Sequence, residues 1–193
     1  MSYVPSASLR DFGPELRFHT ATATDVDAIV ALVESAYRGD ASKQGWTTEA
    51  DLLDGRRTGA DEVLASITRP RSRILLAERR STGSGQLGDL LACAHVAEED
   101  GAGYFGMFSV QPGLQGGGIG KVVLDEAERI IRDEWTLPAM RMTVIDVRAE
   151  LIAFYERRGY HRTGITKPFP YGDARFGLPK REDLRFEVLE KVW

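Results

Sequence analysis

Gly103-Tyr-Phe-Gly-Met-Phe-Ser-Val110 runs straight into Gln111-Pro-Gly-Leu-Gln-Gly-Gly-Gly-Ile-Gly-Lys121, and this stretch decides the rest of the chain. Phe105, Phe108 and Val110 mark a short apolar strand, which Pro112 ends because proline has no N–H to give a ladder. Beyond the turn, Ile119, Val122, Val123, Ala127, Ile130 and Ile131 recur at helical spacing and predict one buried stripe. Gly116, Gly117, Gly118 and Gly120 lie between strand and helix. Lacking a Cβ, they let a ligand come close to their backbone N–H groups. Those groups sit at the positive end of the helix, where an anion is favoured without a dedicated side chain. The stretch predicts a phosphate site.

Elimination narrows the ligand. A Walker A loop needs G-x-x-x-x-G-K-[ST]; here Val122 follows Gly120-Lys121 and Gln115 occupies the place of the first glycine, so the pattern fails twice. G-x-G-x-x-G occurs as Gly83-Gly85-Gly88 and as Gly101-Gly103-Gly106, but each is followed by strand-like residues rather than a helix. A dinucleotide fingerprint must open a helix, so both read as hairpin turns.

The chain has 193 residues, a length suited to one domain with a sizeable core. Hydrophobic residues make up 42% and charged residues 28%, an ordinary balance for a soluble protein. A formal net charge of -4 argues against a broad nucleic-acid face. No apolar run approaches a membrane span, and Met1 to Pro14 lacks the basic and apolar regions of a signal peptide. One cysteine excludes an internal disulfide framework and any CxxC metal site, and three separated histidines argue against a metal. The expected compartment is cytoplasmic, with no nucleic-acid and no membrane partner.

Residues 1–15 read as an irregular lead-in and 16–193 as one domain. Leu16 to Phe18 opens a strand, and Thr24-Asp-Val-Asp27 resembles a capping box before a helix carrying Ile29, Leu32, Val33, Ala36 and Tyr37, which Gly39-Asp40 ends. Thr48 is expected to cap a second helix through Leu52 and Leu53, and a third runs from Asp61 to Ile67. Ile74 to Ala77 and Leu90 to Ala97 form strands joined by a turn over Ser81 to Gly88. The second is apolar on both faces and therefore central. After the quoted stretch come a strand from Met140 to Val147, a helix through Leu151, Ile152, Phe154 and Tyr155 that Gly159 ends, a loop over Thr163 to Asp183, and a last strand from Leu184 to Val192. The order predicts a mixed α/β (α+β) fold. Its central sheet has about seven strands, mainly antiparallel, with one parallel pair around the Gly118 unit and helices flanking it.

Gln115-Gly-Gly-Gly-Ile-Gly120, with Val110-x-Pro112 before it, resembles the Q/R-x-x-G-x-G/A signature of the GNAT superfamily of acetyl-CoA-dependent N-acetyltransferases. Ala153-Phe-Tyr-Glu-Arg-Arg-Gly-Tyr160 resembles the helix of that family that ends in Y-x-x-x-G-F/Y, and the element order is similar from Leu16 to Trp193. Where the family often has Asn, seven residues before the tyrosine, this chain has Arg148, which puts the usual hydrogen bond to the cofactor in doubt. The resemblance implies acetyl-CoA as co-substrate, held by Phe108, Val110, Gln115, Gly116, Gly117, Gly118, Ile119, Gly120 and Lys121. It also implies a backbone oxyanion donor in Phe108 to Val110 and Tyr155 as the acid that protonates the leaving thiolate.

Acetyl transfer needs a neutral amine, and a lysine-like amine is neutral in only about one molecule in 2,000 at pH 7. Desolvation or a base must correct this. No base declares itself: Glu98, Glu99 and Asp100 read as a solvated turn, Glu34 as a carboxylate near the acceptor, and a water chain competes with them. The expected acceptor wall carries Glu34, Tyr37, Arg38, Trp46 and Tyr171. His95 reads as a satisfied core histidine, and Cys93 as buried and unreactive. The expected function is acetyl transfer to a primary amine of a small molecule by direct attack, with a homodimer allowed. The alternatives are a non-catalytic coenzyme A or acyl-CoA sensor, and transfer to a protein N-terminus or lysine.

Overall fold

The computed structural model describes residues 16–79 and 88–193. The lead-in expected over 1–15 and all but the last residue of the turn expected over Ser81–Gly88 lie outside them. The strands are β1 (Leu16–Thr20), β2 (Leu53–Asp54), β3 (Ser72–Arg79), β4 (Leu90–Glu99), β5 (Ala102–Val110), β6 (Ala139–Ile145), β7 (His161–Pro168), β8 (Leu178–Pro179) and β9 (Arg185–Val192). The helices are α1 (Val26–Tyr37), α2 (Gly39–Ser42), α3 (Ala60–Thr68), α4 (Ile119–Arg129) and α5 (Ala149–Glu156). Seven strands form one sheet in the order β1-β3-β4-β5-β6-β9-β7, and β2 pairs with β8 apart from it. All neighbours are antiparallel except β5 and β6.

That parallel pair positions the site. Its register holds only at Gly103↔Met140 and Tyr104↔Arg141, after which the two strands part. On its other side β5 bulges: the register with β4 shifts between Cys93↔Ser109 and His95↔Gly106, and Met107 has φ +48. An extra residue on one strand bends it and frees part of its ladder, and such bulges recur beside active sites. Two of the three glycines in the Gly101-Gly103-Gly106 match serve packing. A Cβ at Gly103 would lie 2.4 Å from Ile131, and one at Gly106 would lie 2.0 Å from the Tyr104 hydroxyl.

Both faces of the sheet are covered. Ile74, Leu76 and Cys93 pack with Ile29, Val33, Ala36 and Tyr37 of α1 and Val63 of α3. Leu75, Ala77, Ala92 and Ala94 face the other way, toward Ile119, Val123, Leu124 and Ala127 of α4 and Ile152 and Tyr155 of α5. β4 is interior, as its two apolar faces predict. Val122, expected in the α4 stripe, is half-buried, and Leu124 takes that place in the core.

Four local expectations change. The capping box sits two residues earlier, where Asp25 Oδ2 accepts the Thr22 N–H at 2.7 Å, because the chain enters α1 through a 3-10 turn over Ala23–Asp25. α1 ends at Tyr37, and Gly39-Asp40 opens α2 rather than closing α1. No helix follows Thr48: the Leu52 and Leu53 N–H groups both turn back to the Glu49 carbonyl, and Leu53 is buried by pairing with Pro179. Tertiary pairing outweighs the weak helical pattern there. The segment from Thr163 is loop only after Pro168, since β7 runs through it on the edge of β9, where a terminal proline is tolerated.

Among the described residues, no helix is long and apolar enough to cross a membrane, and no group of three or more His, Cys, Asp or Glu is placed to hold a metal. His95 is a core residue, hydrogen-bonded through Nε2 to Ser72 Oγ at 2.8 Å, and burial pushes its pKa down to about 4. The unfolded chain then binds more protons than the fold between pH 6.5 and 4, so stability falls as pH falls through that window and levels off below it. The expected loss is roughly 3 kcal/mol. His95→Gln should flatten this slope in denaturant midpoints measured from pH 7 to 4, and an unchanged slope would contradict it.

Candidate active site

Two cavities meet where β5 leaves β6. The first, about 350 Å³, is lined by Trp46, Thr47, Val110, Gln115, Gly116, Gly118, Gly120, Lys121, Phe154, Arg157 and Arg158. The second, about 180 Å³, lies in the splay itself, between Tyr104–Phe108 and Met142–Ile145, with Phe169, Phe176 and Phe186 on its far wall. Tyr37, Phe108, Leu151 and Tyr155 line both.

The turn owes its shape to Gly118, which caps α4 at φ +92, a left-handed conformation costly for other residues. Within the described residues, the N–H groups of Gly116, Gly118, Ile119 and Gly120 have no acceptor. A Cβ built on Gly116 would meet only open space. Lys121, Arg157 and Arg158 bring positive charge to the same cavity, and Arg158 Nε is buried without a partner. Free amides at a helix N-terminus, ringed by cations, fit a bridging phosphate.

A family model of the GNAT acetyltransferase domain matches residues 70–162, which contain both the glycine turn and the α5 helix. That segment carries a GNAT acetyltransferase domain. The fold of the chain is also that of solved acetyltransferases. The spermidine/spermine N-acetyltransferase SpeG from Vibrio cholerae aligns at TM-score 0.62 and 13% identity, over 93% of each chain. A nourseothricin acetyltransferase aligns at TM-score 0.62 and 19% identity, over 92% of this chain and 98% of that one. No curated protein matches it in sequence.

Within this domain Tyr155 is 4% exposed, with its ring edge-on to Phe154 at 5.2 Å and to Tyr160 at 5.8 Å. Burial keeps its hydroxyl protonated well above the ordinary phenol range. Within the described residues no group hydrogen-bonds that hydroxyl, whereas the Tyr37 hydroxyl donates to the Phe108 carbonyl and the Tyr160 hydroxyl to Glu128 Oε1 at 2.9 Å. Cys93 is fully buried and its thiol is pushed up to about 12, which leaves no thiolate to take an acetyl group.

The fold brings Phe108, Val110, Gln115, Gly116, Gly118, Gly120 and Lys121 to one cavity, and Trp46, expected on the acceptor wall, lies there instead, 5.6 Å from the Phe154 ring. Tyr37 and Arg38 line the second cavity. Ile119 is buried in the core and only its N–H faces the turn. Glu34 lines neither cavity: its Oε1 accepts the Arg57 N–H and, at 2.9 Å, the Thr58 N–H, so it shapes the loop beneath Arg57. Tyr171 also lies outside both, its hydroxyl donating to the Arg181 carbonyl at 3.1 Å and accepting the Leu184 N–H at 2.8 Å. Glu98 and Glu99 pair with Arg71 and Arg69 on the surface, away from the cavities.

Sequence reasoning passed over Glu49. It is buried, 2.6 Å from Arg38, 2.9 Å from Arg148 and 3.8 Å from Arg57. Burial alone would raise its carboxyl, but Arg148, Arg57 and Arg38 together hold it below the ordinary glutamate range. Among the described residues it is the only carboxylate lining either cavity, and three guanidiniums make it a poor base. Arg148, in the position where the family often has Asn, ties Glu49 and the Thr47 carbonyl to the start of α5.

Proposed function

We propose that the protein transfers the acetyl group of acetyl-CoA to a primary amine of a small molecule, by direct attack in a ternary complex, and that residues 16–193 work as one domain. The observation that carries this reading is the meeting of the two cavities at Tyr37, Phe108, Leu151 and Tyr155. Acetyl-CoA supplies an acetyl group activated as a thioester. The free N–H groups of Gly116, Gly118, Ile119 and Gly120 hold its pyrophosphate, with Gln115, Gly117, Lys121, Arg157 and Arg158 around it. The acceptor lies in the second cavity. Its nitrogen bonds to the carbonyl carbon as the carbon–sulfur bond breaks. The β5 backbone from Phe108 to Val110 donates to the carbonyl oxygen as it gains charge, Tyr155 gives its proton to the departing sulfur, and the surplus ammonium proton leaves to water, from which Tyr155 is reprotonated. The solved relatives act, by their names, on spermidine or spermine and on nourseothricin, which supports a small amine as acceptor.

Thiol release from acetyl-CoA, measured across an amine panel, tests this. Direct attack predicts double-reciprocal plots that intersect; parallel lines would mean an acetyl-enzyme and overturn the ternary mechanism. Coenzyme A binding in calorimetry with no amine-dependent thiol release would favour the sensor reading instead.

A further inference from the structure

The acceptor cavity holds more positive charge than its one carboxylate can balance. Arg38, Arg57 and Arg148 surround Glu49 there. Arg148 is spent on Glu49 and the Thr47 carbonyl, and Arg38 Nη1 on Glu49 and the Tyr37 carbonyl. Nε and Nη2 of Arg38 are buried without a partner. Arg57 is different: its side chain is 34% exposed, and among the described residues its guanidinium makes no hydrogen bond. It is nonetheless held in place. Glu34 fixes its backbone, Glu49 lies 3.8 Å from Nε, and its guanidinium carbon stands 5.2 Å from the centre of the Tyr37 ring. A guanidinium with a fixed stem and free donors, opening into a cavity, is built to take a planar anion at two points.

We infer that the acceptor carries a carboxylate bound by Arg57, and that it is a free amino acid with an apolar side chain. The apolar part follows from Met107, Phe169, Phe176 and Phe186, which line the same cavity as Arg57. Tyr37 connects the two ends of the argument: Arg57 and Arg148 flank its ring, and the ring also lines the cofactor cavity, so an anion at Arg57 leaves the neighbouring amine near Tyr155. The same cations disfavour the ammonium form of that amine, and so do part of what a base would do. A polyamine brings no anion to this cluster and adds positive charge to it.

This inference rests on the transfer reaction proposed above, and the test separates the two. L-leucine, L-methionine and L-phenylalanine are each compared with the amine left when the carboxylate is removed, and spermidine is included. In thiol-release assays at least one amino acid should exceed its decarboxylated partner in kcat/KM by roughly 10- to 100-fold, the worth of a charge-assisted pair. Arg57→Gln should abolish that preference by raising the amino-acid KM, with the acetyl-CoA KM changed by less than about twofold. Calorimetry of the same pairs on the coenzyme A-loaded protein reads the preference without turnover. Carboxylate-dependent binding that Arg57→Gln removes, with no thiol release, would keep the anion site and overturn the transfer reaction. If no amino acid outdoes its partner in either assay, if spermidine is preferred, or if the preference survives in a folded Arg57→Gln protein, the inference is overturned.

Discussion

Tyr155→Phe is expected to lower kcat by roughly 10²- to 10⁴-fold, the usual worth of a positioned proton donor. The substitution keeps the ring that packs on Phe154 and Tyr160, and with it most of the core contact. The hydroxyl removed has no hydrogen-bond partner among the described residues, so no buried group is orphaned. Acetyl-CoA affinity should hold, because the proton is needed only as the carbon–sulfur bond breaks. Burial raises the pKa of this phenol, so any loss of kcat through its ionisation belongs well above pH 10, on the alkaline side. Single-turnover rates with saturating acetyl-CoA check this, and near-wild-type turnover in the variant would make Tyr155 a core aromatic only.

Gly118→Glu should cost coenzyme A affinity by about 10²- to 10⁴-fold, the equivalent of one to two charge-assisted hydrogen bonds replaced by repulsion. Two effects coincide at this position. The residue stands at φ +92, so any side chain strains the cap of α4, and a carboxylate there sits among the N–H groups that await an anion. Calorimetry with coenzyme A reads the second effect, and the melting temperature of the free protein reads the first. Unchanged affinity in a variant that still melts cooperatively would remove the glycine turn from the phosphate site.

The strand, turn and helix from Gly103 to Ile131 were legible because their signals are local: Pro112 and the glycines punctuate the chain, and the apolar period changes from two to about 3.6 across them. The interior place of β4 was legible from its two apolar faces. The capping box, the end of α1 and the segment after Thr48 were misplaced, since the choice between neighbouring threonines, or between a helix and a two-residue strand, is made by partners such as Pro179 far along the chain. The second cavity was the least legible part. Arg38, Glu49, Arg57 and Arg148 read as unrelated charges in sequence, and only the splay of β5 from β6 makes them one group. Tyr171 and Glu34 look like wall residues by position, yet Tyr171 is engaged by backbone groups of its own loop and Glu34 by the N–H groups of Arg57 and Thr58 from a distant one.

Thr47 is bound from two directions. The Gln115 amide holds its N–H at 3.2 Å and its hydroxyl at 2.7 Å from the side of the glycine turn, while Arg148 holds its carbonyl from the side of the second cavity. Thr47 lines the first cavity and is tied through Arg148 to the second, so any order that a ligand in one cavity imposes on it would already be present for a ligand in the other. Coenzyme A and the proposed acceptor are then expected to be thermodynamically coupled, and linkage makes such a coupling reciprocal. The factor by which bound coenzyme A tightens the acceptor must equal the factor by which the acceptor tightens coenzyme A. In Gln115→Ala both factors should shrink together toward one.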